Sequence, residues 1–456
     1  MSTSIFLVLL AATIAALAAR SFLRRWEASV LETANRELQI PVPRIQTMNR
    51  RQLIKRLLDD ERLQRRIGEQ AGETGMSVKK LKRRCRKYAS EIVPAFKAVF
   101  YFRIGYWLAR KLLTSLHRVH YRVADMEAID EIEADASVVI IMNHRSNLDV
   151  LLINYLASRR ATLMQFAGEW ARMWPLYKIT HQAGNPVVDR DAQDPLYKLV
   201  FRSFVRMAVR EGANIAIFPE GELTRDGTMQ APRFGLLNFA VTASPARADK
   251  LYVIPVGLNY ERIVEERHLV TEPDATYRHK GIVEVFASVV MATVILTART
   301  LLPVEAQLGN ACASVGRPIR LSDWLASRGM ASSDEGDPRE WVTALGNESM
   351  RQVASLNPVM PAHAMASLLL ADTARTWSIP DLCERSTELL DSLDDRGKIV
   401  VFPVSDKRRS MEDTVDNFIR RKLITKGEQQ RVSVNEKLSP VLLYLANSIG
   451  EQPEPV

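Results

Sequence analysis

The stretch "SVVIIMNHRSNLD" (Ser137–Asp149) decides the predicted fold, because an apolar run ends abruptly in a polar turn. Residues 137–142 have the Val and Ile content of a buried strand, and "LDVLLINYLASRR" (148–160) has the pattern of a helix. The stretch therefore predicts a strand, a short turn and a helix in direct succession.

The same alternation continues along the chain. "NIAIF" (214–218) follows a helical segment at 195–211, and "YVIPVGL" (252–258) follows another at 233–243. Strands alternating with helices predict an α/β domain with a mostly parallel sheet flanked by helices. Catalytic groups in such sheets lie beyond the carboxyl ends of strands. Both "NHRSNLD" and "PEG" (219–221) stand at such positions.

His144 and Asp149 pair a titratable base with a carboxylate. Residues five apart lie about 140° round a helix axis, so the two cannot meet on one uninterrupted helical face. They can meet if 143–147 form a turn and Asp149 lies in the first turn of the next helix. One imidazole nitrogen would then be held by the carboxylate while the other accepts a proton. The alternative is a strand-end histidine beside an aspartate that favours a helix N-terminus.

Composition narrows the class of protein. The 456 residues suffice for two or three domains. Cys85, Cys312 and Cys383 are far apart and odd in number, which favours a reducing compartment over a disulfide framework. His117 and His120 form the one close histidine pair, and two ligands alone make no metal site, so no metal is predicted.

Charge is concentrated near the N-terminus. The net charge is +9, yet residues 20–110 carry 22 Lys and Arg against 9 Asp and Glu. A basic segment needs an anionic partner, either nucleic acid or a membrane surface. Aromatic residues for base stacking are nearly absent from residues 50–87, so nucleic acid is not the predicted partner.

The first residues favour a membrane. Residues 1–19 carry no charged side chain and are mostly apolar, and arginines follow at once from Arg20. A signal peptide has its positive charge before the apolar run. We therefore predict a membrane anchor over residues 1–24, with the rest of the chain on the cytoplasmic side. A cleaved signal is the alternative.

For three further segments, one of two possible interpretations is contact with a membrane. "KKLKRRCRK" (Lys79–Lys87) is predicted to attract anionic lipid headgroups, the alternative being a solvated helix face. The aromatic and cationic segment Pro94–Leu113 fits an interfacial helix or a buried core helix. The apolar stretch Ile282–Leu302 fits a membrane-dipping helix or two buried strands.

Sequence blocks extend the pattern around "NHRSNLD". "AGNPVVDR" (183–190), "FPEGELTRDG" (218–227) and "VIPVG" (253–257) follow it in order. Each block is weak alone, but the ordered set resembles the four blocks of the glycerolipid acyltransferase superfamily. The resemblance implies that superfamily's α/β core and transfer of an acyl group from a thioester directly to a hydroxyl, without an acyl-enzyme. No GxSxG nucleophile elbow is present, in agreement with direct transfer.

The resemblance also assigns roles to residues. It makes His144 the general base and Asp149 its orienter. The residues that it matches to substrate binding are Arg190, Glu220, Gly221, Arg225, Arg233 and Pro255. It implies no resident cofactor, and acyl-CoA or acyl carrier protein serves as the co-substrate. The third block departs from the family at Leu223, where arginine is usual. Relatives that act on glycerol 3-phosphate or dihydroxyacetone phosphate often carry an arginine two residues further on, matched here by Arg225.

The regions outside the four blocks indicate which members of the superfamily the chain resembles most. "SLNPVMPAHAMASLLLAD" (355–372) and "SPVLLYLANSIG" (439–450) resemble the tail of glycerol-3-phosphate acyltransferases. We therefore expect acylation of glycerol 3-phosphate, with dihydroxyacetone phosphate, lysophosphatidate or a non-catalytic lipid-binding scaffold as alternatives. The predicted segments are an anchor (1–24), a basic helical membrane-associated region (25–125), an acyltransferase domain (126–325) and a mostly helical C-terminal region (326–456).

Overall fold

The structure is a computed structural model, and it divides into two units. It describes residues 21–22, 25–27, 29–30, 32–33, 42–158, 160–172, 176–189, 192–266, 269–270, 308–330 and 338–450. The first unit comprises Met1–Ala109 and Asn154–Asn214, and the second comprises Arg110–Ile153 and Ile215–Val456.

The described strands and helices alternate through the middle of the chain. The strands are β1 (Arg118–Val123), β2 (Ser137–Met142), β3 (Leu163–Gln165), β4 (Asn214–Ile217), β5 (Leu251–Tyr260), β6 (Asn310–Val315), β7 (Ile319–Arg320), β8 (Trp377–Ser378), β9 (Ile424–Lys426) and β10 (Arg431–Val434). The α-helices are α1 (Arg44–Thr47), α2 (Arg50–Leu58), α3 (Glu61–Thr74), α4 (Val78–Ile92), α5 (Tyr106–Leu116), α6 (Met126–Asp130), α7 (Asp149–Ala157), α8 (Leu176–Gln182), α9 (Pro195–Arg210), α10 (Gly235–Val241), α11 (Leu321–Ala326), α12 (Arg339–Leu356), α13 (Pro361–Ala371), α14 (Ile379–Asp395), α15 (Lys407–Arg420) and α16 (Ser439–Asn447).

Helices α2, α3, α4 and α9 build the core of the first unit. Side chains of Asn49, Asp60 and Ser77 accept hydrogen bonds from the first-turn amides of α2, α3 and α4, which fixes where each helix begins. The apolar side of these helices is buried in one cluster that includes Leu57, Ile67, Leu81 and Phe204. Polar and basic residues remain on the outer side, so the segment is an amphipathic helical layer.

Asp194 links α4 to α9 in the first unit. Its carboxylate caps α9 through the Leu196 amide and accepts hydrogen bonds from Arg84 and from the Tyr88 hydroxyl. One carboxylate thus satisfies a helix end and a cation together, which holds the basic helix α4 against α9.

The second unit is built on a mixed, mostly parallel sheet. Its strands lie in the order β1-β6-β5-β2-β4, and β7 pairs with β5. The pairs β2–β5, β2–β4 and β1–β6 are parallel, whereas β5–β6 and β5–β7 are antiparallel. All ten residues of β5 are buried, and strands pair with it along both edges. The predicted α/β fold is confirmed, and the carboxyl ends of β2, β4 and β5 share one edge.

The C-terminal part of the second unit is mostly helical. Helices α12 to α16 enclose buried side chains such as Leu345, Met365, Leu390, Phe418 and Leu442. A small antiparallel sheet with the order β8-β10-β9 accompanies them.

Two predicted membrane segments cannot be compared with this fold. Residues 1–20 of the predicted anchor and the whole apolar stretch 282–302 lie outside the described residues. In the described ranges, no helix combines the length and the apolar character needed to cross a bilayer. The predicted interfacial segment 94–113 is helical from its middle onward, as a π-helix over Phe100–Gly105 followed by α5.

Candidate active site

The site begins where β2 ends. The Asn143 side chain donates to the Leu258 carbonyl and accepts from the Leu258 amide, both at 2.8 Å. A side-chain amide here replaces a backbone partner and continues the β2–β5 pairing beyond Met142. The chain then leaves the sheet at a fixed point, with His144 as the first residue of the turn.

Asp149 is fully buried at the start of α7 and its carboxylate organises the turn. Its Oδ2 accepts hydrogen bonds from the Arg145 amide at 2.7 Å and the Ser146 amide at 3.0 Å. Its Oδ1 accepts from the Tyr260 hydroxyl at 2.7 Å. Four polar contacts, counting His144, satisfy a carboxylate that would otherwise be costly to bury.

His144 lies against this carboxylate. Its Nδ1 is 3.0 Å from Asp149 Oδ2, as the spacing predicted once a turn separated the two residues. The imidazole stacks on the Phe218 ring, with 4.2 Å between centroids and 25° between planes. With the proton on Nδ1, the lone pair on Nε2 has no hydrogen-bond partner among the described residues. The side chain is 13% exposed, so this nitrogen is available to a substrate hydroxyl.

Glu220 joins the loop that follows β4 to the turn that follows β2. One carboxylate oxygen accepts from the His144 amide at 3.2 Å and the other from the Gln230 amide at 2.8 Å. Burial raises the pKa of Glu220, and the hydrogen bond from Gln230 and the charge of Arg145 oppose that rise. Glu220 therefore braces the backbone at His144, and a direct contact with the acceptor stays a prediction.

Arg225 is presented on a turn tied to His144. The Thr224 amide donates to the His144 carbonyl at 3.3 Å, so Arg225 follows a residue anchored to His144. Gly227 closes the turn with φ 83°, and a Cβ there would meet the Tyr444 carbonyl oxygen at 2.0 Å, so only glycine fits. Arg225 is exposed and forms no ion pair with another described residue.

The remaining predicted site residues differ in placement. Gly221 has φ 77°, a conformation that suits glycine at the turn after Glu220. Arg233 is exposed, and its amide donates to the Pro219 carbonyl at 2.8 Å, which folds it back onto the Glu220 loop. Pro255 is buried in β5 opposite Ile141, within the sheet. Arg190 lies outside the described residues.

The structure adds residues that motif reasoning missed. The Arg145 guanidinium is almost fully buried and donates to the Gly227 carbonyl. The buried carboxylate of Glu265 accepts from the Ser146 hydroxyl at 2.8 Å and the Asn147 amide at 3.1 Å. Tyr260 could have been found, since it is the last residue of a strand whose carboxyl end faces the site.

Thiol and metal chemistry have little support in the described residues. Burial raises the pKa of Cys85 and of Cys383 to about 11, and that of Cys312 to about 12, so none is a thiolate near neutral pH. In the part of the chain that the structure describes, no group of three or more His, Cys, Asp or Glu could hold a metal ion.

The chain matches two protein families. Residues 122–259 match the family described as acyltransferase, and residues 293–449 match the glycerol-3-phosphate acyltransferase C-terminal region. The first match contains the His144 turn and the Glu220 loop, and the second contains most of the C-terminal helices.

Similar proteins carry one name. The glycerol-3-phosphate acyltransferase of Aeromonas hydrophila is 29% identical over 226 residues, which cover 48% of this chain and 27% of that protein. That of Alteromonas mediterranea is 24% identical over 427 residues, covering 88% of this chain and 49% of that protein. The matched part is thus about half or less of these relatives' length.

A solved structure aligns weakly with the chain. The 1-acyl-sn-glycerophosphate (LPA) acyltransferase of Thermotoga maritima aligns with a TM-score of 0.32 and 15% identity, over 60% of this chain and 87% of that one. The fold assignment depends on the strand order above, not on this alignment. The family matches agree with the ordered blocks: the chain carries an acyltransferase family domain followed by a glycerol-3-phosphate acyltransferase C-terminal region.

Proposed function

We propose that this protein transfers a fatty acyl group from a thioester to the sn-1 hydroxyl of glycerol 3-phosphate, forming lysophosphatidate. His144 Nε2 removes the hydroxyl proton as the oxygen attacks the thioester carbonyl. The tetrahedral intermediate expels the thiolate, which takes that proton back from the imidazolium. No bond to the protein is formed, and acyl-CoA or acyl carrier protein supplies the thioester.

The observation that carries the proposal is the 3.0 Å contact between His144 Nδ1 and Asp149 Oδ2. Asp149 is buried and held by two backbone amides and a tyrosine hydroxyl, so it orients the imidazole and stabilises its protonated form. General-base catalysis of this kind contributes typically about 10²- to 10⁴-fold. Acceptor positioning supplies much of the remainder.

The exposed side chains of Arg225 and Arg233 are evidence that the acceptor is anionic. Both are exposed, and neither forms an ion pair with another described residue, so their guanidinium groups can each bind phosphate oxygens in bidentate fashion. The Thr224 amide is hydrogen-bonded to His144 and the Arg233 amide to Pro219, so both cations belong to the segment that contains Glu220 and is tied to the His144 turn. Arg190 is proposed as a third phosphate ligand on the resemblance alone.

Membrane association fits the substrates and product, since an acyl glycerophosphate stays in a bilayer. Ile104, Trp107 and Leu108 are 49%, 51% and 40% exposed on one helical segment, next to the exposed Arg103. Exposed apolar and aromatic side chains beside a cation are typical of an interfacial helix. With the basic face of α4 and the predicted anchor (1–24), this segment would hold the protein on anionic lipids at the cytoplasmic side.

The test is acyl transfer from palmitoyl-CoA to labelled glycerol 3-phosphate, with membranes that carry the wild-type chain or His144→Ala. We expect labelled lysophosphatidate from the wild type and none above background from the variant. Arg317→Ala, a change at a highly exposed arginine, serves as the control.

The other outcomes discriminate among functions. Acylation of dihydroxyacetone phosphate or lysophosphatidate alone would retain the chemistry and replace the acceptor. Loss of transfer from CoA with retention from acyl carrier protein would identify the donor. No transfer to any acceptor from either donor would leave a lipid-binding scaffold as the better function.

A further inference from the structure

Among the residues that the structure describes, Tyr260 is the one side chain that satisfies the second oxygen of Asp149. The His144 imidazole and two backbone amides all contact Oδ2. Oδ1 accepts a hydrogen bond from the Tyr260 hydroxyl at 2.7 Å and from no other described residue. Asp149 is fully buried, so no exposed surface gives Oδ1 an alternative partner.

The hydroxyl is a donor in this contact. Burial, followed by the charge of Asp149, raises the pKa of Tyr260 well above its usual value, so the phenol retains its proton. A short hydrogen bond from a neutral hydroxyl to a carboxylate is among the stronger protein hydrogen bonds. It satisfies the negative charge without adding a second charge to the site.

The Tyr260 ring is itself held in place. The His117 ring packs edge-on against it, with 5.3 Å between centroids, and His363 Nε2 lies 3.1 Å from the Tyr260 carbonyl oxygen. Asn143, the residue before the site turn, is hydrogen-bonded to Leu258 in the preceding segment of β5. Backbone and ring are therefore both fixed relative to Asp149, and the hydroxyl has little freedom to move away.

We propose that Tyr260 is a positioning residue for acyl transfer: its hydroxyl holds Asp149 Oδ1 so that Oδ2 stays aligned with His144 Nδ1. The inference rests on the proposed function of His144 as general base. Without the hydroxyl, Oδ1 is buried and unsatisfied, and the carboxylate gains by rotating away from the imidazole. The residue acts through Asp149 and does not touch substrate.

The chain offers a matched control on the same strand. Tyr252 also lies in β5, is also buried, and its hydroxyl also donates to a carboxylate at 2.7 Å, in this case Glu133. Tyr252→Phe and Tyr260→Phe thus make the same chemical change in the same strand. Only the second removes a hydrogen bond from the His144–Asp149 pair.

The experiment measures kcat and KM for the wild type, both phenylalanine variants, Asp149→Asn, and the Asp149→Asn/Tyr260→Phe double variant. We expect Tyr260→Phe to lower kcat about tenfold with KM for either substrate changed less than about twofold. Tyr252→Phe should match the wild type. In the Asp149→Asn background the Tyr260 change should add less than about twofold, because the two residues act as one unit.

Three results would overturn the inference. The first is a Tyr260→Phe variant that behaves like Tyr252→Phe. The second is a change in KM with kcat unaltered, and the third is an equal fall in kcat in the wild-type and Asp149→Asn backgrounds. An inactive wild type would instead reject the proposed function. If Tyr260→Phe fails to fold, 3-fluorotyrosine and 3,5-difluorotyrosine at position 260 keep the shape and the donor. With these residues kcat should change steadily with phenol acidity, and an unchanged kcat would also reject the inference.

Discussion

The site turn of the second unit and helix α4 of the first unit use charge in opposite ways. Around the turn, Asp149, Glu220 and Glu265 are buried, and both oxygens of each carboxylate accept hydrogen bonds. On α4 the cations Lys79, Lys80, Lys82, Arg83, Arg86 and Lys87 are exposed, and none forms an ion pair with another described residue.

The difference separates two physical tasks. A buried charge must be satisfied locally, so its partners fix geometry to within a hydrogen bond. Exposed charges without partners set up a field that acts over about a Debye length and is weakened by salt. The first arrangement suits chemistry at one atom, and the second suits attraction to an anionic surface.

The largest expected effect is at the centre of the buried arrangement. Asp149→Asn should lower kcat by about 10²- to 10⁴-fold with a folded chain, because the amide cannot stabilise the imidazolium of His144. Steady-state acyl transfer measures it, and Asp391→Asn, which changes an exposed helix residue, is the control. A loss below about tenfold would contradict the assigned role.

The second prediction concerns buried histidines that stay neutral. Burial lowers the pKa of His117 and of His363 from 6.5 to about 4. Unfolding restores the usual pKa, so the unfolded chain binds more protons between pH 6.5 and 4, and the free energy of unfolding falls as the pH falls. Each histidine contributes about 3 kcal/mol to that loss.

Denaturant unfolding at a series of pH values checks this slope. His363→Gln should lose stability at neutral pH and show a flatter dependence below pH 6.5 than the wild type. A slope in the variant equal to that of the wild type would show that His363 titrates normally in the folded chain.

The third prediction tests whether an exposed cation can serve the buried site. Arg225→Ala should raise KM for glycerol 3-phosphate about 100-fold with a smaller change in kcat, since it loses charge-assisted hydrogen bonds to phosphate. Arg225→Lys should recover part of the affinity, and Arg317→Ala should not change it. An unchanged KM would mean that phosphate binds elsewhere.

Of the four effects compared in this section, the smallest is expected on α4. Lys82→Gln/Arg86→Gln should reduce partitioning onto vesicles with anionic lipid about 30-fold, because each cation contributes about 1 kcal/mol near such a surface. Sedimentation with vesicles measures it, and neutral vesicles or high salt should remove the difference. If the double variant instead loses activity in detergent while its vesicle binding is unchanged, these cations act in the reaction. The separation between buried charges for chemistry and exposed charges for lipid attraction would then be wrong.

The spacing of motif residues predicted the contact between His144 and Asp149 better than it predicted the residues that hold this pair in place. His144 and Asp149 could be paired from the sequence, because a turn followed by a helix brings residues five apart together. Tyr260 and Glu265 lie more than 100 residues from the turn, and no local pattern shows which carboxylate or hydroxyl they meet. Glu220 is predicted to bind the acceptor, and no local pattern shows that its oxygens also accept hydrogen bonds from the amides of His144 and Gln230.

The sequence by itself determined the α/β class, the basic N-terminal segment and the pair of residues proposed for proton transfer. The class and the charge follow from local periodicity and composition, and the pair follows from spacing together with the ordered blocks that resemble the superfamily. Only the tertiary structure decided that β5 runs antiparallel to β6, that Asn143 clamps Leu258, and that Tyr260 completes the shell of Asp149. Contacts between distant residues depend on how strands order themselves in the sheet, and burial then selects the partners that each charge must find.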